Sequence, residues 1–114
     1  MQEQDIITLV TQTLEDQKAQ DITSYDISHL SSIMDHMIIA TATSTRHAKT
    51  LADKVVQACK AQDIKPLSVD DSDDGQWVLI DLNFLVVHVM LDEIRQFYSL
   101  EKLWSMAETS RQKS

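Results

Sequence analysis

The chain has 114 residues, the size of one domain, and 43% of them are hydrophobic, enough for one ordinary core. A formal net charge of −8 and a pI of about 4.7 exclude phosphate neutralisation by Lys and Arg as the main source of affinity, and so argue against nucleic acid or an anionic membrane as the principal ligand. One Gly and one Pro exclude a loop-rich or disordered chain, and the lone Cys59 excludes an internal disulfide and fits a reducing compartment.

The first residues, Met1-Gln2-Glu3-Gln4-Asp5, lack the positive segment that opens a secretory signal. No apolar run reaches membrane-spanning length. The expected location is the cytoplasm. Residues 5–17 predict a helix, because Ile6 or Ile7, Val10 and Leu14 recur at helical spacing between polar residues. Residues 21–26 alternate weakly and predict a strand built on Ile22 and Tyr25. A polar connection around Leu30 follows over 28–32. Residues 36–43 contain Met-Ile-Ile-Ala-Thr, a short apolar run expected to form a buried central strand.

Ser44 is an N-cap residue for a helix over 45–61. Ala48, Leu51, Ala52, Val55, Ala58 and Cys59 form its apolar stripe, with small residues that allow close approach to a sheet. Lys65-Pro66 ends that unit, and 67–69 add a short strand. The strand–helix–strand unit over 36–69 is expected to be right-handed. The run Asp70-Asp71-Ser72-Asp73-Asp74-Gly75 matches the early ligand positions of a calcium loop, with Asp81 at its twelfth position. A strand over 76–82 would carry Asp81 about 15 Å away from that loop, so a solvated acidic turn is the better reading.

On the strand 76–82, Trp77, Leu79 and Asp81 share one face and Val78, Ile80 and Leu82 the other. The second set is aliphatic and belongs to the core. The first mixes an aromatic, an aliphatic and an acid, and two readings stand. Either that face is partly open and accepts a partner, or Trp77 caps the core edge and Asp81 ends the strand. Asn83-Phe84 forms a tight turn into a strand over 85–90. There Val86, His88 and Met90 lie on one face and Leu85, Val87 and Val89 on the other. If the two strands form a hairpin, His88 and Met90 share a surface with Trp77 and Leu79. Residues 92–97 and 100–106 predict short helical pieces, and 107–114 a frayed polar tail.

The fold class is therefore α/β: a single domain over 1–106 with a mixed sheet of about five strands and helices mainly on one face. No catalytic set is evident, because no Ser, Cys or second acid stands at a spacing that completes a triad with His88. His29, His36, His47 and His88 are dispersed, so no metal site is expected. Ser44-Thr45-Arg46-His47 could hold a phosphate at the helix start, but no Gly-rich loop precedes it and plain capping is the simpler reading. An acidic surface suits a basic protein partner. The rival is a metal-dependent nucleotide-handling enzyme using Asp26, Asp35 and Asp81, although these acids form no close Asp-x-Asp pair. A third is a dimeric adaptor for an unrelated target.

Five blocks carry a resemblance over residues 5–106. They are Leu30-Ser31-Ser32-Ile33-Met34-Asp35, Thr43-Ser44-Thr45-Arg46-His47, Gly75-x-Trp77-Val78-Leu79-Ile80-Asp81, Val86-Val87-His88-Val89-Met90 and Arg95-x-Phe97-Tyr98-x-Leu100-Glu101-x-Leu103-Trp104. In this order they resemble the Iojap-like ribosomal silencing factors, the RsfS family. The chain departs from the usual pattern at His36-Met37, where aromatics are common, and at Thr41-Ala42, where Ser-Gly is common. The resemblance implies a nucleotidyltransferase-like fold without catalysis or cofactor. It implies binding to the large ribosomal subunit through ribosomal protein uL-fourteen, a steric block to subunit joining and repression of translation when nutrients are short. It also suggests homodimers, with no membrane role and no direct sequence-specific contact to nucleic acid. On this reading Trp77 and Leu79 anchor the partner, Asp81 faces its basic residues, His88 and Met90 extend the patch, and Arg95, Tyr98 and Trp104 brace the C-terminal helices.

Overall fold

A computed structural model describes residues 2–28 and 35–98. The element order is α1 (Glu3–Asp16), β1 (Gln20–Asp26), β2 (His36–Ala42), α2 (Thr45–Ala61), β3 (Ser68–Ser72), a 3₁₀ turn (Asp73–Gly75), β4 (Trp77–Asp81), β5 (Leu85–Leu91) and α3 (Asp92–Tyr98). The expected helical piece at 100–106, the polar tail, most of the 28–32 connection, and the side chains of Tyr98 and Trp104 lie outside the described residues.

The strands form one five-stranded sheet in the order β1-β2-β5-β4-β3. β2 and β5 run parallel, from His36 opposite Leu85 to Ala42 opposite Leu91, and the other neighbours are antiparallel. The strand after α2 therefore does not pair with β2. It forms the far edge, with β5 and β4 between them, and the parallel partner of β2 arrives only after the β4–β5 hairpin.

The sheet has two unequal faces. On one, Ile38, Ala40, Ala42, Leu85, Val87, Val89, Val78 and Ile80 meet Val10 and Leu14 of α1 and Ala48, Leu51, Val55 and Cys59 of α2 in the main core. Both helices present an apolar stripe at three- and four-residue steps, as their sequences require. Burial pushes the Cys59 thiol above its ordinary value, which makes it an inert core group. On the other face a smaller cluster joins Ile27, Met37 and Ile39, with Tyr25 beside it. Met37 is one of its buried members.

Two local devices set the helix positions. The Ser44 hydroxyl accepts the His47 backbone N–H at 3.0 Å, so this segment is a cap. The His47 ring then links the two helices. Its Nδ1 accepts the Thr43 N–H at 3.0 Å, while its Nε2–H donates to the Gln17 carbonyl at 2.9 Å, just past the end of α1. The ring nitrogens are thus committed to structure, and the anion-binding reading of this segment finds no ring donor to spare.

The acidic stretch differs from its sequence reading. Asp70, Asp71 and Ser72 are not a turn but the second half of β3, paired with Leu79, Val78 and Trp77. Asp is a poor strand former. Here the partner strand supplies the pairing, and an edge strand exposed at every residue keeps both carboxylates in water. The turn begins only at Asp73. Asp74 with φ 57° and Gly75 with φ 87° take the left-handed conformations that reverse the chain into β4.

Replacing Ser44 with Ala should lower stability by about 1 kcal/mol through loss of the cap. The urea midpoint should fall with an unchanged slope. An unmoved midpoint would mean that the His47 contacts hold the start of α2 unaided.

Candidate functional site

The register places the residues of the second sheet face in rows that cross the strands. Thr41, Met90, Trp77 and Ser72 form one row, and Thr23, Ile39, His88, Leu79 and Asp70 the next. Tyr25, Met37, Val86, Asp81 and Ser68 form the third. All five residues expected at a partner surface, Trp77, Leu79, Asp81, His88 and Met90, therefore share one face and two adjacent strands.

Exposure rises steadily across this face. Val86, His88 and Met90 on β5 are buried, with Met90 only 1% exposed. Trp77, Leu79 and Asp81 on β4 are half-buried, and Ser68, Asp70 and Ser72 on β3 are exposed. α3 packs on the opposite side, against β5 and β2. It is tied there by Arg95, which donates to the Thr41 hydroxyl and the Asp21 carbonyl at 2.7 Å and to the Thr23 hydroxyl at 3.1 Å. This is the bracing role the sequence assigned to Arg95. Among the described residues, no helix packs on the β4–β3 side of this face. Met90 and His88 form its floor, and Trp77, Leu79 and Asp81 its surface.

The indole Nε1–H of Trp77 donates to Nδ1 of His88 at 3.1 Å, with the ring centroids 5.8 Å apart and tilted by 43°. Accepting that proton requires a lone pair on Nδ1, so the ring is neutral. Burial enforces this by lowering the His88 pKa from 6.5 to about 4. Asp81 has a structural duty as well, because its Oδ1 accepts the Asn83 N–H at 2.8 Å and closes the hairpin turn in which Asn83 takes φ 81°. This contact supports the reading of Asp81 as the residue that ends the strand.

Two acids of the rival set, Asp26 and Asp81, are not neighbours. Asp26 lies on β1 and Asp81 on β4, three strands apart, a separation of about 14 Å. Asp26 Oδ1 also accepts from the Ser28 backbone N–H and hydroxyl. Among the described residues no group of three His, Cys, Asp or Glu side chains converges as a metal site would require. The calcium-loop pattern dissolves likewise, since Asp70 and Ser72 are strand residues on the sheet edge.

Sequence reasoning missed Ser68, Asp70 and Ser72 as the continuation of this face. Their alternation with Val69 and Asp71 was the available signal, hidden because acids are rarely strand formers.

The family model described as "Ribosomal silencing factor during starvation" matches residues 1–114. The chain belongs to the RsfS family. It is 39% identical over 104 residues to a ribosomal silencing factor RsfS of Chromobacterium violaceum, covering 91% of this chain and 85% of that protein. A crystal structure of a protein from the same organism, 39% identical, superposes with a TM-score of 0.89 over 92% of this chain and 88% of that one. A mouse protein named mitochondrial assembly of ribosomal large subunit protein 1 is 30% identical over 88% of this chain and 45% of its own length. The RsfS-like α/β fold expected from the sequence is thus the fold observed. No helix among the described residues is long and apolar enough to cross a membrane.

Because the folded pKa of His88 lies below 6.5, the unfolded chain takes up this proton first. The contribution of His88 to stability is full above about pH 6.5 and is lost as the pH falls toward about 4, a total of about 3 kcal/mol. Denaturant titrations between pH 7 and 4 should show this decline in the native protein and a shallower one in His88→Gln. Parallel profiles would place the ring in water.

Proposed function

We propose that this RsfS-family chain is a steric anti-association factor, not an enzyme. It binds the large ribosomal subunit through ribosomal protein uL-fourteen, blocks joining of the small subunit and represses translation in the cytoplasm under nutrient limitation. The observation that carries this reading is the β4–β3 side of the sheet, where half-buried Trp77 and Leu79 sit among Asp70 and Asp81. An aromatic set in a desolvated patch is the usual energetic centre of a protein interface. The surrounding acids suit a basic partner, and ribosomal proteins must be basic to hold RNA phosphates. The family description, with its starvation role, fits repression under nutrient limitation, and the mouse relative's name fits the large subunit as the target.

Trp77 and Leu79 would insert into the partner, Asp81 and Asp70 would face its cations, and His88 and Met90 would support them from below. Homodimers, also implied by the sequence resemblance, are counted by analytical ultracentrifugation of the free protein.

Purified protein should pellet with isolated large subunits and not with small ones. Trp77→Ala should weaken pelleting by about 30-fold or more, with an unchanged far-UV spectrum. Raising the salt should also weaken it. A variant that loses its fold would make Trp77 a core residue, and absence of pelleting by the native protein would remove the ribosomal function.

A further inference from the structure

An anchor residue must be both fixed and free of unmet polar groups before an interface can bury it. Free rotation of a large ring has to be given up on binding. A buried N–H without a partner carries a desolvation penalty. Indole has one polar hydrogen and no acceptor. For Trp77 that hydrogen points inward, to His88 Nδ1.

We propose that His88 is the positioning residue of this surface: it holds the Trp77 indole in the pose a partner meets and occupies the ring's single donor in advance of binding. The proposal rests on the reading of Trp77 as the anchor and specifies how His88 supports it. Three observations carry it. His88 is only 8% exposed, so it offers a partner almost no area of its own. It sits between Ile39 on β2 and Leu79 on β4, in the row beside Met90 and Trp77, so the backbone register aims its ring at the indole. The tilted ring contact adds a second restraint on the same side chain. With its N–H engaged, the half-buried indole can be covered by a partner without leaving that donor unsatisfied.

The burial of His88 follows the same logic. Neither Ile39 nor Leu79, its cross-strand neighbours, carries charge. A neutral ring keeps one lone pair available at Nδ1.

The test uses the free protein and its complex with large subunits. In ¹H–¹⁵N spectra the Trp77 indole resonance is identified by its loss in Trp77→Phe, and its hydrogen exchange is measured. His88→Phe keeps a ring but removes the acceptor. It should speed Trp77 indole exchange about tenfold and weaken large-subunit binding about fivefold to tenfold, as expected for one lost hydrogen bond. His88→Gln, whose side-chain oxygen can accept, should recover part of both effects, and it keeps the test open if the Phe variant fails to fold. Unchanged indole exchange in His88→Phe would overturn the proposal, as would faster exchange with undiminished binding. If the native protein fails to pellet while the exchange contrast persists, the ribosomal function falls and the positioning of the indole by His88 stands.

Discussion

Strand β5 lies between β2 and β4, paired along its length on both sides, and its side chains are buried on both faces from Leu85 to Met90. Because successive side chains alternate, a slip of one residue would drive His88 into the aliphatic layer beneath α1 and α2 and turn Val87 and Val89 to the opposite face. An unpaired imidazole in that layer costs far more than a small packing error. The main core therefore fixes the register of β5. That register then fixes which residues stand beside Trp77. The geometry of the proposed interface is a consequence of the core rather than a separate arrangement.

The two faces differ in what they demand. Beneath the helices every buried member of the main core is aliphatic, Ala or Cys, and shape decides their packing. On the opposite face polar atoms lie next to buried carbon, and each is met by a named partner. Trp77 meets His88, Thr41 and Thr23 meet Arg95, and Asp81 meets the Asn83 N–H. Among the described residues no buried side-chain nitrogen or oxygen lacks a hydrogen bond. Satisfied polar groups hold this face together, and among the described residues no helix packs on its β4–β3 side.

Local patterns were legible in the sequence. Ser44 and the apolar stripe after it marked α2 from Thr45 to Ala61, and alternation over 76–82 separated Trp77, Leu79 and Asp81 from the core set. The apolar run after Asn83 marked β5, and Arg95 was recognised as a brace. Contacts between distant segments were not legible. His47 reaches the Gln17 carbonyl across 30 residues, and Arg95 reaches Thr41 across 54. Nothing in the spacing of a His or an Arg announces such a partner. The length of β3 was hidden for a different reason. Asp70 and Asp71 favour turns in isolation, and only pairing with Leu79 and Val78 makes them strand.

Those same acids explain how an open edge can be tolerated. An exposed terminal strand can pair with a second copy of itself, yet one carrying Asp70 and Asp71 places like charges opposite each other when it tries. In a chain of net charge −8 that repulsion acts well before contact, while a basic partner experiences attraction from the same residues. In the proposed function, selection of the partner by sign depends on the face remaining negative, and here the neutrality of His88 matters again. A protonated imidazole beneath Leu79 would offset the nearest carboxylates and would turn an N–H against the indole N–H. The burial that makes His88 an acceptor for Trp77 thus also preserves the field that Asp70 and Asp81 project, so the proposed anchor and the proposed charge selection rest on one buried, uncharged ring.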